Sequence, residues 1–382
     1  MAKRTRKPNE VELPPPPKPE LPHPIPLSAV VGQDRAIAVL MDAMKSGRVH
    51  HAWIFHGPPG VGKFTTALAY AAILLDPTTQ AGFSGEFAPD PDSQVQKLLG
   101  AGSHPDLFII TKELARFHED DKVRARKQTT IPVDVLRQFL IEPGKLGPSL
   151  RNEAAVGKVF IIDEAELMAG AGQNALLKLL EEPPARVVII LVTSSEERLL
   201  PTIRSRSQRV FFPTLSDEAM AAWGKSRKLE LDPSERAWLL RFADGSPGVF
   251  MLAKEGGLYE WWKRLEPMLQ AAERGGYSPQ LGPAMAELID GWAKAWVEAH
   301  ENASKEAANK AGADWLLRLL ANFLRERLRK AAPLGKAGPY LAALDAVRQA
   351  EPQIDSNVNM LFVMEQLSSE LSATFGAAMA RA

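Results

Sequence analysis

WIFHGPPGVGKFTTALAYAAILL, residues 53–75, is the stretch that decides the fold of this chain. Trp53 to Phe55 is a short apolar strand, a Gly/Pro loop follows, and an alanine- and leucine-rich segment reads as a helix. Strand, glycine loop and helix is the context in which a loop binds phosphate. Its backbone amides point at the anion, glycines let the backbone approach, and a lysine adds a mobile positive charge. Gly57, Gly60, Gly62 and Lys63 are the residues expected to do this here. Gly57, Gly62 and Lys63 fill every position of the phosphate-loop spacing but the last, which is Phe64. A Ser or Thr there would place a hydroxyl on magnesium; phenylalanine has no oxygen to offer. Thr65 lies about 100° further round the helix and would need a shifted loop to substitute.

Working outward, KVFIID at 158–163 reads as a buried strand ending in a carboxylate. Asp163 can organise magnesium and Glu164 can polarise an attacking water; the plainer reading is an acidic helix start. VVIILVT at 187–193 is a β-branched run with Thr193, Ser194 and Ser195 at its end. Ser194 is the preferred candidate to sense a γ-phosphate, against ordinary hydrogen bonding at a strand end. Leu107–Ile110 and RVFFP at 209–213 supply further strand signals. NALLKLLEEPP at 174–184 is an amphipathic helix stopped by Pro183 and Pro184. Short apolar strands separated by helices argue for α/β layering with a largely parallel sheet, whose strand order the sequence does not reveal.

The remaining segments are simpler. Residues 1–28 form a Pro-rich, basic segment, MAKRTRKPNEVELPPPPKPELPHPIP and two residues more. It favours extended polyproline structure, is expected to be a disordered tail or a peptide-docking tether, and is not a secretory signal. The stretch 113–130 mixes both charge signs and reads as a solvated excursion, with Arg124, Arg126 and Lys127 alternatively placed for DNA or a neighbouring subunit. The expected organisation is a nucleotide-fold core at 29–213, a small helical lid at 214–255 and a separate all-helical domain at 256–382. Lys plus Arg and Asp plus Glu each number 46, so net charge gives no general pull toward nucleic acid. The absence of cysteine excludes disulfides, cysteine nucleophiles and thiolate metal sites. No apolar run approaches membrane-spanning length.

Several separated blocks resemble the bacterial DNA polymerase III clamp-loader family of AAA+ proteins. They are VVGQDRAI at 30–37, GRVHHAWIFHGPPGVGK at 47–63, KVFIIDEAELM at 158–168, NALLKLLEEPP at 174–184 and LLPTIRSRSQRVFF at 199–212. DSNVNMLFVMEQL at 355–367 more faintly resembles that family's oligomerising collar. The resemblance implies an AAA+ P-loop core, a helical lid and a C-terminal helical collar. It implies that Gln33 sits on the adenine side and that Arg206, in a segment where Ser207 replaces the family's cysteine, reaches a neighbour's nucleotide in trans. Phe64, Gly248 in GSPGV, and HPDLF at 104–108 favour the delta-prime form over the motor subunits.

The implied cofactors are ATP and magnesium, with Asp163 the sole metal-side carboxylate and no zinc site. The implied partners are clamp-loader ATPase subunits and, through the complex, a sliding clamp and primer-template DNA in the cytoplasmic replisome, with no membrane involved. The expected role is structural, with intrinsic ATPase weak or absent and no polymerase chemistry. An active clamp-loader ATPase using Lys63, Asp163 and Glu164 is the alternative; a remodelling or repair AAA+ protein is a third.

Overall fold

The computed structural model describes residues 23–82, 86–124, 129–150, 154, 156–299, 304–356 and 358–379. The expectations placed on residues 1–22, Arg126 and Lys127 lie outside the described residues. The chain divides into two compact units, residues 1–227 and 228–382.

The first unit is built on β1 (Ala52–His56), β2 (Gln80–Ala81), β3 (Phe87–Ala88), β4 (Leu107–Ile110), β5 (Lys158–Ile162), β6 (Val187–Thr193) and β7 (Gln208–Phe211). The five longer strands form one sheet in the order β4-β5-β6-β1-β7, and every neighbouring pair is parallel. The short β2 and β3 pair with each other as an antiparallel ribbon. Every residue of β5 and β6 is buried, which is why both read as unbroken apolar runs: a parallel sheet is covered on both faces. The helix Lys63–Leu75 is also buried along nearly its whole length. Tyr70 on that helix meets Trp53 of β1 edge-on at 5.8 Å, and Phe55 packs on Phe212 at 5.1 Å. On one side of the sheet Phe160, Ile162, Ile189 and Leu191 join Leu136, Leu140, Leu176 and Leu180 in a single apolar cluster.

Two loop segments are held by specific bonds to buried carboxylates. The Gly/Pro/Asp-rich stretch after residue 75 is gathered by the carboxylate of Asp76, a residue only 2% exposed. It accepts from the Thr78 amide and hydroxyl, from Ser93 Oγ at 2.6 Å and from Gln96 Nε2 at 2.9 Å. These four donors outweigh the penalty of burying the charge and hold the carboxyl below its ordinary range. A similar clamp closes the loop after residue 145: Asp106, fully buried, accepts from the Ser149 and Leu150 amides. The segment after Ile131 runs as α-turns at Val133–Leu136 and Glu142–Lys145 around a π-helical segment, Arg137–Ile141.

The helix Asp217–Ser226 belongs to the first unit, so the division falls within the 214–255 segment. The second unit contains the helices Pro233–Ala243, Pro247–Glu255, Leu258–Glu273, Leu281–Ala299, Lys305–Ala331, Gly338–Asp355 and Met360–Met379. Gly248 lies in the first turn of the second of these. Among the described residues no helix is long and apolar enough to cross a membrane.

Candidate nucleotide site

In an open parallel sheet, ligands bind beyond the carboxyl ends of the strands where the strand order reverses. Here β1 lies between β6 and β7, and the loop Gly57–Gly62 springs from its carboxyl end. Strand register sets the neighbours: His56 pairs with Thr193 on β6 and with Phe211 on β7, and Ile162 of β5 pairs with Leu191. Asp163, Ser194 and Pro213 therefore all emerge beside the loop.

The loop needs its glycines for two different reasons. Gly57, Gly60 and Gly62 have φ of +144°, +75° and +102°, in the region that favours glycine. At Gly57 space is also decisive, because a Cβ would stand 2.1 Å from the Phe212 carbonyl oxygen. At Gly62 a Cβ would meet nothing within 4 Å, so only the backbone angle forbids a side chain there. Gln33 locks the loop from behind. Its Nε2 donates to the Val61 carbonyl and to the Pro213 carbonyl, both at 3.0 Å, tying the loop to the end of β7. Gln33 is 1% exposed, and its Oε1 has no protein partner.

Lys63 starts the helix, and its ammonium donates to the carbonyls of Gly57 and Pro58, each at 2.6 Å, and to Ser194 Oγ at 3.3 Å. Burial lowers its pKa to about 8, against the opposing pull of Glu166 and Asp163. Asp163 moves the other way: burial, aided by Glu164 and Glu166, raises it to about 6, despite a bond from the Glu164 amide and the nearby Lys63 charge. Two opposite charges are thus held together in a poorly solvated cleft where each is easily neutralised, a pattern common at functional sites. Ser194 stands at this cleft, its Oγ accepting from Lys63 and its amide donating to Glu166 Oε1 at 3.1 Å. Glu166 did not stand out in the sequence; its Oε2 is buried without a partner.

Glu164 is not aimed like Asp163. It sits at φ +48°, and its carboxylate is bound by Lys112 Nζ at 2.7 Å. Phe64 is the second residue of the helix and partly exposed, and the neighbouring Thr66 hydroxyl is spent on the Gly62 carbonyl at 2.9 Å. The donor set therefore suits phosphate oxygens, through the loop amides and Lys63, better than it suits a magnesium ion. Asp163 and Glu166 bring carboxylates to the cleft, and position 64 brings no oxygen.

Residues 32–216 match the family described as DNA polymerase III, delta subunit. A curated DNA polymerase III subunit delta' of Pseudomonas aeruginosa is 34% identical over 202 residues, covering 52% of this chain and 53% of that protein. The subunit delta' of Escherichia coli is 29% identical over 235 residues, covering 61% and 62%. A gamma/tau subunit of Mycobacterium tuberculosis is 30% identical over 207 residues, covering 52% and 30%. Over about half of its length the chain is thus similar to DNA polymerase III subunits delta' and gamma/tau. It spans less than two thirds of the length of each of these curated relatives.

The two arginines of TIRSRSQ separate clearly. Arg204 has a buried Nε without a partner. Arg206 keeps a side chain 36% exposed, its guanidinium donating to the Thr202 carbonyl at 3.1 Å and pairing with Glu181 at 2.9 Å. Glu181 is the final residue of the helix Gly170–Glu181, which carries the first eight residues of NALLKLLEEPP. Two blocks of the family resemblance therefore meet in one surface ion pair. Sequence spacing does not reveal that meeting, because the partners lie on different elements.

Proposed function

We propose that this chain is a largely structural subunit of a DNA polymerase III clamp loader. In this role it supports ATP-driven loading of a sliding clamp onto primed DNA while turning over little nucleotide itself. The observation that carries the reading is the state of its own site. Phe64 stands where a magnesium-side hydroxyl is required, and Glu164, the water-polarising candidate, is held by Lys112 instead. Lys63 and the loop amides still suit a nucleotide's phosphates, so ATP binding without efficient hydrolysis is the expected behaviour. Any magnesium arriving with the nucleotide has Asp163 as its protein carboxylate.

Arg206 is assigned the trans role, reaching the nucleotide of an adjoining ATPase subunit. An exposed guanidinium held by one surface carboxylate can exchange that partner for a phosphate at little cost, since exposed pairs contribute about 0–1 kcal/mol. Across the boundary it would stabilise charge developing on the transferred phosphoryl group. The expected partners are the ATPase subunits and, through them, the clamp and primer-template DNA, in the cytoplasmic replisome. The lid at 214–255 and the collar at 256–382 are proposed in their family roles.

The test is reconstitution with the partner ATPase subunits and the clamp, with Arg206→Ala and Arg206→Lys variants of this chain. Loss of DNA-stimulated ATP turnover and of clamp loading in both variants is expected; unchanged turnover sinks the trans role. The neighbouring Lys63 and Asp163 favour a second reading, an active ATPase subunit. Magnesium-dependent hydrolysis by the isolated chain, abolished by Glu164→Gln, would establish it.

A further inference from the structure

Glu166 brings to the nucleotide cleft a carboxylate that phosphate binding alone does not call for. It lies on a single-turn 3₁₀ helix, Ala165–Leu167, pinned by the buried side chains of Ala165 and Met168. The Ile131 amide donates to the Leu167 carbonyl at 2.9 Å and fixes the turn further. The two oxygens of Glu166 have different surroundings. Oε1 accepts from the Ser194 amide at 3.1 Å, while Oε2 is buried and finds no donor among the described residues. Ser194 Oγ in turn accepts from Lys63 Nζ at 3.3 Å, so Glu166, Ser194 and Lys63 form one connected group. Burial lowers the Lys63 pKa, and of the two carboxylates that offset this, Glu166 acts more strongly than Asp163. The chain's own negative charge is thus already held against the Ser194 amide and the ammonium, the donors that a terminal phosphate needs.

We infer that Glu166 sets the phosphate number of this site, so that it takes a nucleoside diphosphate in preference to a triphosphate. The inference rests on the nucleotide-site reading of Gly57–Lys63 and Ser194 proposed above. Both nucleotides are held by the loop amides and Lys63, and two costs fall on the triphosphate alone. Its added charge must approach a fixed carboxylate in a poorly solvated cleft, where like charges repel more strongly than in water. It must also compete for the Ser194 amide, whose bond to a carboxylate is charge-assisted. Whichever acceptor loses that contest is left desolvated without its donor. The diphosphate meets neither cost. Discrimination here comes from a charge set against the disfavoured ligand, not from an added contact to the favoured one. A bound diphosphate would brace the loop of a largely structural subunit without committing it to turnover.

The test is calorimetric titration of the full-length chain with ADP and with ATP, first in EDTA and then with magnesium. Glu166→Gln keeps an oxygen for the Ser194 amide and removes the charge at nearly constant volume. Glu166→Ala, which removes the charge without adding an amide, is the second variant, and thermal melts check the fold of both. In EDTA the unaltered chain should bind ADP roughly tenfold more tightly than ATP. Both variants should bring the two affinities within about threefold of each other, through tighter ATP binding and with ADP little changed. Equal affinities for the unaltered chain, or a preference for ADP that neither substitution moves, overturns Glu166 as the discriminator and leaves the nucleotide site standing. Weaker ATP binding by Glu166→Gln, confined to magnesium, makes Glu166 a metal-side carboxylate and overturns the inference as well. Lys63→Ala separates the two readings. If neither nucleotide binds the unaltered chain, or binding is indifferent to Lys63→Ala, the nucleotide site itself is overturned and the inference falls with it.

Discussion

The Glu164 carboxylate lies 2.7 Å from the Lys112 ammonium, although the two residues are 52 positions apart. The pair forms because β4 and β5 are parallel neighbours in register, Ile110 beside Ile162, so the residues just beyond both strands emerge together. Both side chains are partly exposed, and the pair should contribute at most about 1 kcal/mol to stability. Its effect is on where the carboxylate points. Lys112→Ala should free Glu164 with little change in melting temperature, yet leave ATP turnover undetectable while Phe64 remains. Combining it with Phe64→Ser should produce magnesium-dependent turnover in a phosphate-release assay. Turnover by Lys112→Ala alone would show that Phe64 is no obstacle.

Asp163 gives a pH signature. Its ordinary value is 3.8 and the folded chain holds it near 6, so folding disfavours its charged form. That cost is fully present above about pH 6 and disappears as pH falls through 6 toward 4. Asp163→Asn keeps an oxygen for the Glu164 amide and removes the charge. It should raise the melting temperature at pH 8, by an amount equivalent to less than about 2 kcal/mol after solvent screening at the cleft mouth. The difference should vanish near pH 4. Lys63 runs oppositely: with its value lowered to about 8, its cost is present below pH 8 and is relieved as pH rises toward 10.5. A gap between Asp163→Asn and the unaltered chain that stays constant from pH 4 to 8 would contradict this account.

The loop glycines should not be equivalent. Gly57→Ala combines a left-handed backbone angle with a 2.1 Å approach to a β7-side carbonyl, and neither the strand pairing nor the loop can yield. It should cost more than about 3 kcal/mol or prevent folding. Gly62→Ala meets only the angular penalty, on the order of 1–2 kcal/mol. Chemical denaturation of the two variants measures the difference; equal losses would mean that contact with Phe212 is unimportant.

The parts of this molecule that the sequence made legible share one property: they are local. β5 and β6 are buried on both faces, so each appears as an uninterrupted apolar run, and the Gly57–Lys63 spacing marks its own loop. Gly57, Lys63, Asp163 and Ser194 come together because each follows a strand end. What stayed hidden depends on which strand lies beside which. Lys112 with Glu164, Glu166 with the Ser194 amide, and Arg206 with Glu181 join elements far apart in sequence, and hydrophobic periodicity carries no strand order. Asp76 was hidden differently. In a run rich in Pro, Gly and Asp, nothing local distinguishes a carboxylate that gathers four donors from one that faces water.

Arg206 and Glu181 set the last test, because stability and function should part there. Only one ion pair is lost on changing Glu181 to Ala, and both partners keep substantial exposure, 36% for Arg206 and 49% for Glu181. Exposed pairs of this kind contribute about 0–1 kcal/mol, so the chain's melting temperature should move by less than about 3 °C. Arg206→Ala should be equally mild for the chain alone. In the reconstituted complex the two should diverge. Arg206→Ala removes the guanidinium proposed for the neighbour's nucleotide and should slow turnover at that site by roughly a thousandfold. Glu181→Ala leaves the guanidinium in place and releases it, so turnover should be maintained or raised. Steady-state ATPase with DNA and clamp present distinguishes the cases. Equal losses for both variants would mean that the pair works as a structural brace and that Arg206 does not act across the boundary.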